Sequence, residues 1–234
     1  MATIADNLQA IRRRLKAVTA PVTLLAVSKS QPADAIREAV AAGQKAFGEN
    51  YVQEAVEKMK LLPPLEWHLI GPLQSNKTRV AAEHFDWVQT VASEKIARRL
   101  SDQRPAALYP LNVLIQVNVS GEATKSGVQP QQARALAQVV ASLPRLKLRG
   151  LMTVPEPGAD RSRYREAKAL FDSLRQEFAL DTLSMGMSDD LELALAEGAT
   201  MVRIGTAIFG PRDKKRAEPQ ACKWGSRAAS RSRP

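Results

Sequence analysis

The sequence predicts an α/β fold, a single (β/α)8 TIM barrel with an extra N-terminal helix, and three observations carry that prediction. Eight apolar, β-type runs recur along the 234 residues, helical stretches alternate with them, and no Pro/Gly/Ser-rich linker divides the chain. Parallel neighbours require a helical crossover, so strict alternation implies a parallel sheet. The runs starting at 22 and 201 are separated by seven repeats, roughly 26 residues each, compact but sufficient for a βαβ unit. An open doubly wound sheet would carry its dinucleotide fingerprint in the first βα turn. That turn reads Ser28-Lys29-Ser30-Gln31-Pro32, without GxGxxG.

Taken in order, residues 3–18 read as the leading helix. They lack the apolar core and small-residue cleavage site of a secretory signal, and Asp6 argues against a mitochondrial presequence. The first run, VTLLAVSK (22–29), is followed by a helix over 33–42, with Pro32 at its first turn and Gly43 where it stops. KAFGEN (45–50) precedes a helix over 51–59, EWHLIG (66–71) one over 76–83, and FDWVQTV (85–91) one over 94–103. LNVLIQVNV (111–119) leads to a helix over 130–142 opened by Gln129-Pro130. LKLRGLMTV (146–154) leads to 161–178, DTLSMGM (181–187) leads to 190–197 stopped by Gly198, and MVRIGTAIFG (201–210) is the eighth run.

At 44% hydrophobic and 25% charged, the composition excludes disorder as the main state. No run approaches a membrane span. Cys222 is the lone cysteine, which excludes an internal disulfide framework and paired-cysteine zinc sites and fits a reducing cytoplasm. The net charge of +10 is uneven: residues 211–234 hold eight Lys or Arg against two acids, the other 210 residues 26 against 22. The charge therefore belongs mostly to a basic tail too poor in apolar residues to fold alone, expected to be solvated and disordered. The barrel is expected over 1–210.

In a barrel the active site forms on loops after the strand carboxyl ends. Lys29 finishes the first run. Burial there lowers an ammonium pKa, and a neutral amine can attack a carbonyl; equally, Lys29 could snorkel from the mouth or pair with Glu49. Loops after strands seven and eight form the recurrent phosphate site of this fold, and here they carry Ser184, Ser188, Gly205 and Thr206. Small hydroxyl residues and glycines let backbone amides approach phosphate oxygens. Ser188 also reads as a helix N-cap. Strand eight of a closed barrel neighbours strand one, so a phosphorylated aldehyde would satisfy both Lys29 and these loops. Pyridoxal 5′-phosphate (PLP) is the leading such aldehyde.

The segments AVSKSQP, FGENYVQE, WHLIGPLQSNK, VNVSGEATKSG, LRGLMTVP, LSMGMSDDLELAL and MVRIGTAIFG resemble the pyridoxal phosphate homeostasis proteins, barrels related to the amino-terminal domain of alanine racemase. The resemblance implies PLP held as an aldimine of Lys29 in AVSK, with Asn50 in GEN beside the cofactor. It further implies that Ser184, Gly205 and Thr206 hold the phosphate and that Arg203 in MVRIG faces the pyridine nitrogen. Without the resemblance, Arg203 also reads as an inward salt bridge, and Asn50 as a turn or helix cap. Guanidinium only donates, so it favours an unprotonated ring nitrogen, a poor electron sink. Racemase-like enzymes add a second, β-rich domain where this chain has 24 residues of net positive charge.

The expectation is therefore a cytoplasmic, monomeric PLP carrier, not an enzyme, that serves PLP homeostasis by supplying apoenzymes, with no membrane partner. A racemase-like enzyme and a nucleic-acid binder acting through the tail are the alternatives. No metal is expected. His68 and His84, Trp67 and Trp87 read as structural, and Lys77 and Lys125 as loop lysines.

Overall fold

The structure, a computed structural model, describes residues 2–18, 20–122 and 126–211. Eight strands, β1 (Thr23–Val27), β2 (Ala46–Glu49), β3 (Glu66–Leu69), β4 (Trp87–Val91), β5 (Leu111–Val117), β6 (Leu146–Thr153), β7 (Thr182–Ser184) and β8 (Met201–Ile204), pair in parallel with their neighbours. The barrel closes where β8 pairs with β1, with Leu25 opposite Arg203 and Ala26 opposite Ile204. The expected TIM barrel is the observed fold.

Around it lie α1 (Ile4–Lys16), α2 (Ala33–Ala41), α3 (Val52–Met59), α4 (Thr78–His84), α5 (Glu94–Gln103), α6 (Ala133–Ala141), α7 (Arg161–Phe178), α8 (Leu191–Ala196) and the single turn α9 (Thr206–Phe209). The helices at 76–83 and 130–142 each begin as a 3-10 turn, Ser75–Lys77 and Pro130–Gln132. Sheets covered on both faces produce continuous apolar runs rather than alternation, and every residue of β2 and β4 is buried. Alternate residues still point to opposite sides. Ala26, Phe47, Leu69, Val88, Val202 and Ile204 join the main core between strands and helices. The lumen contains two small apolar clusters, Leu25/Ala46/Met201 and Trp87/Leu114/Met152.

Helix α1 begins with a capping box, in which Thr3 and Asp6 satisfy each other's free groups. Leu8, Ile11 and Leu15 recur at helical spacing and are buried. They pack α1 against α2 and α9, covering the β1/β8 seam. The Asn7 amide donates to the Ile208 carbonyl at 2.9 Å, and Arg12 to the Ala42 carbonyl at 2.6 Å. Since α9 is only four residues long, α1 completes the helical ring where the last crossover would lie.

Seven of the eight runs end earlier than expected, β4 alone ending where the sequence places it, and three of these differences bear on the site. β1 stops at Val27, which leaves Lys29 in a turn, and β7 covers only Thr182–Ser184. The run at 201–210 splits: β8 ends at Ile204, then the Ile208 and Phe209 amides both donate to the Gly205 carbonyl and form α9. A short buried apolar run has the same composition in a strand and in a helical turn, so pattern alone does not separate them. The basic tail from 212 onward, with Cys222, and Lys125 lie outside the described residues. Among the described residues no helix is long and apolar enough to cross a membrane, and no acidic, histidine or cysteine cluster could hold a metal.

Ile11 is 2% exposed under α1. Ile11→Ala should lower unfolding free energy by about 2–5 kcal/mol, measured by urea denaturation; a change near zero would show that α1 is not part of the cooperative unit.

Candidate functional site

A cleft of about 370 Å³ opens at the carboxyl end of the barrel, within the roughly 300–1,000 Å³ range of small-ligand sites. Its walls come from four βα loops. Val27 ends β1 and Lys29 and Gln31 follow it, Ile70 follows β3, Met187, Ser188 and Asp189 follow β7, and Gly205, Thr206 and Gly210 follow β8, with Arg203 at the floor. The β1 and β8 loops, brought together by the pairing of their strands, meet closely at Gly205. A Cβ there would lie 3.3 Å from the Val27 carbonyl oxygen and 3.4 Å from its Cβ. Gly186, at φ +94°, similarly brings the β7 loop onto α8, where a Cβ would approach that of Ala194 to 2.4 Å.

Lys29 is half-buried and sits in a turn closed by the Gln31 amide donating to the Ser28 carbonyl at 3.0 Å. Ser30, the next residue, is left-handed at φ +61°, a conformation costly outside glycine and held by its surroundings. Its amide donates to Glu54 Oε1 at 2.7 Å. On the other flank, Ser28 Oγ donates to Glu49 Oε1 at 2.6 Å, and the Lys58 ammonium donates to the Ser28 carbonyl, Glu49 and Glu54 at 2.8, 2.7 and 2.7 Å. Glu49 and Lys58 are buried. Burial holds the Glu49 carboxyl above its ordinary pKa, and Lys58 and the Ser28 hydroxyl offset only part of that shift. The Lys29 turn is thus pinned on both sides by one buried charge cluster.

The floor is polar. Arg203 is 4% exposed, and burial lowers its guanidinium to about 10, against the opposing fields of Asp190 and Tyr164. It keeps its proton at neutral pH. Instead of an inward salt bridge, its Nη1 donates to Ser184 Oγ at 2.8 Å and its Nη2 to the Thr153 carbonyl at 2.9 Å. Ser184 Oγ donates to Gln89 Oε1 at 2.7 Å, Gln89 Nε2 lies 2.9 Å from His68 Nδ1, and His68 Nε2 lies 2.7 Å from Glu66 Oε1. The His68 ring stacks on Trp87 at 5.0 Å, and Arg149 covers Trp87 at 4.6 Å. Burial pushes His68 below its usual pKa despite Glu66 and Asp86, while the His68 hydrogen bond lowers Glu66.

Of the expected site residues, Lys29, Ser188, Arg203, Gly205 and Thr206 line the cleft. Ser184 does not: its side chain is fully buried between Gln89 and Arg203. Asn50 follows β2 on the rim, half-buried, outside the lining. Ser188 is not a cap, since Asp190 occupies that position; its Oγ accepts from the Ala207 amide at 3.4 Å and ties the β7 loop to the β8 loop. Glu49 is taken up by Lys58 and Ser28. Sequence reasoning missed Lys58, Glu54 and Gln89. A buried charged side chain at i, i+4 on a short helix looks like a surface pair, so only tertiary contact reveals it.

Residues 1–213 match the family described as alanine racemase, N-terminal domain. The chain is 57% identical over 224 residues to the pyridoxal phosphate homeostasis protein of Pseudomonas aeruginosa, covering 91% of this chain and 97% of that one. It is 53% identical over 230 residues to the Escherichia coli protein of the same name, covering 91% and 98%. The structure of Synechococcus elongatus PipY with PLP bound superimposes with a TM-score of 0.79 at 41% identity, covering 89% of this chain and 100% of that one. Alanine racemase from Corynebacterium glutamicum, at 18% identity and a TM-score of 0.70 over 89% of this chain and 61% of its own, shares the fold. The chain belongs to the alanine racemase N-terminal domain family and, within it, to the pyridoxal phosphate homeostasis proteins.

Two outcomes follow from the buried charges. Lys58→Met strands the Glu49 carboxylate and should cost about 3–5 kcal/mol, whereas adding Glu49→Gln should recover much of that loss; additive losses in urea denaturation would exclude the coupling. For His68, the unfolded chain binds a proton near its ordinary pKa of 6.5 that the folded chain takes up only at lower pH. Stability should therefore fall as pH drops from 6.5, and His68→Asn should flatten that part of the curve.

Proposed function

We propose that this protein holds PLP reversibly at Lys29 and serves intracellular PLP homeostasis, handing the cofactor to apoenzymes without substantial turnover of its own. The observation that carries the reading is that one cleft unites a primary amine after β1 with hydroxyl and glycine residues after β7 and β8. Its support is the set of homologues named for this role and the PLP-bound PipY structure, which closely resembles this chain.

When bound, PLP supplies an aldehyde that an amine captures reversibly and a phosphate that needs donors. The residues fit both needs. Lys29 is presented by a pinned turn, and Gly205 keeps the space beside Val27 that a side chain would fill. In this reading Lys29 captures the aldehyde, Ser188, Gly205 and Thr206 hold the phosphate, and Asn50 borders the cofactor from the β2 rim. Ser184 serves from behind Arg203. Arg203 supports holding over turnover, because it retains its proton and only donates, so a ring nitrogen against it stays unprotonated. We assign the site to residues 1–210, a cytoplasmic location and a monomeric state.

Purified protein incubated with PLP should turn yellow, and borohydride should fix one cofactor to Lys29, located by peptide mass spectrometry. Lys29→Ala should lose the adduct. Protein that takes up no PLP, or an adduct that survives at another lysine, would overturn the assignment.

A further inference from the structure

We infer that His68, Gln89 and Ser184 are positioning residues for the cleft: they form one hydrogen-bond chain of single polarity through the barrel lumen that fixes the Arg203 guanidinium at the floor. The inference rests on PLP occupying that cleft, but the chain itself follows from donor and acceptor counting. Guanidinium has donors and no acceptor, so Ser184 Oγ accepts from Arg203. The one serine proton then goes to Gln89 Oε1. The other side of that amide carries only donors, and one lies 2.9 Å from His68 Nδ1. Nδ1 therefore accepts, the ring proton sits on Nε2, and it is donated to Glu66 at 2.7 Å.

The orientation of the Gln89 amide decides the sense of the chain. Its Nε2 also approaches the Met201 sulfur at 3.1 Å, a contact suited to a donor. Reversing the amide would require a proton on His68 Nδ1. The Nε2 of a neutral ring would then confront the Glu66 carboxylate, acceptor against acceptor, so the reversal requires an imidazolium. The charged groups around the ring are Glu66 on β3, Asp86 before β4 and Arg149 of β6 beyond Trp87; Gly48, its partner on β2, adds none. His68 is 0% exposed, and burial opposes the second proton. The chain starts at Glu66, whose side chain is 47% exposed at the amino-terminal end of the barrel, and finishes at the opposite mouth. The cleft's cation is thereby oriented from the far side of the molecule.

The test uses the full-length protein. Nitrogen-15 NMR of the apo form at neutral pH should show His68 with Nδ1 unprotonated and Nε2 protonated; a proton on Nδ1 overturns the chain. Gln89→Met removes both links and should weaken PLP binding about tenfold, the effect of roughly one lost hydrogen bond, and shift the visible band of the bound cofactor. Gln89→Glu restores the acceptor for Ser184, so affinity and band should return toward the wild type while His68 becomes doubly protonated. A folded Gln89→Met protein with native affinity and band overturns the positioning role. If Gln89→Met does not fold, the wild-type tautomer and the Gln89→Glu spectra decide. Wild-type protein that binds no PLP fails the functional reading instead, and the apo tautomer then decides the chain alone.

Discussion

The pairing of β8 with β1 is the constraint on which the molecule depends. It places Arg203 opposite Leu25 and Ile204 opposite Ala26, so residues separated by most of the chain become neighbours across one hydrogen-bond ladder. The turn after β1 and the loop after β8 then form adjacent walls of one cleft. At Gly205 the two come close enough that a Cβ would press on Val27. The leading helix secures the same seam from outside, through Leu8, Ile11 and the Asn7 bond to the α9 turn.

Charge burial organises the site as much as apolar packing does. An unpaired charge in the interior is expensive, so buried charges occur with partners. Lys58 meets three oxygen acceptors and in doing so braces the strained turn at Lys29 and Ser30. Arg203 meets a hydroxyl and a carbonyl and lies at the end of the Glu66–His68–Gln89–Ser184 series. The two lumen clusters are small, and the polar series runs between buried side chains of β3, β4, β7 and β8. A barrel filled this way trades some apolar burial for side chains locked in place beneath the cleft. The shared fold with alanine racemase does not transfer its reaction, since chemistry belongs to the residues mounted on a fold.

Much of this was legible beforehand, for identifiable reasons. The eight runs are unusually apolar because both faces of a barrel strand are covered, and Pro32, Gly43, Gln129-Pro130 and Gly198 punctuate the helices between them. Lys29, Ser188, Gly205 and Thr206 could be marked because this fold places loops after strand ends on one side. Misreadings fell where local pattern is degenerate. The Ala207–Phe209 segment is apolar enough for a strand yet turns helical at Gly205, and Ser184 is a hydroxyl residue near the right loop whose side chain points into the lumen instead. Gln89 gave no signal, since one amide in an apolar strand looks the same whether it bonds to solvent or to His68 and Ser184.

The sequence by itself determined the architecture and the candidate amine, because strand and helix periodicity and the placement of loops are local properties of the chain. Tertiary structure decided which groups face one another: that Glu49 belongs to Lys58, that Ser184 supports Arg203 from behind the cleft, and that His68 is one link in a buried series. Hydrogen bonds across the barrel depend on strand register and side-chain direction summed over the closed ring, and neither can be read from neighbours along the chain.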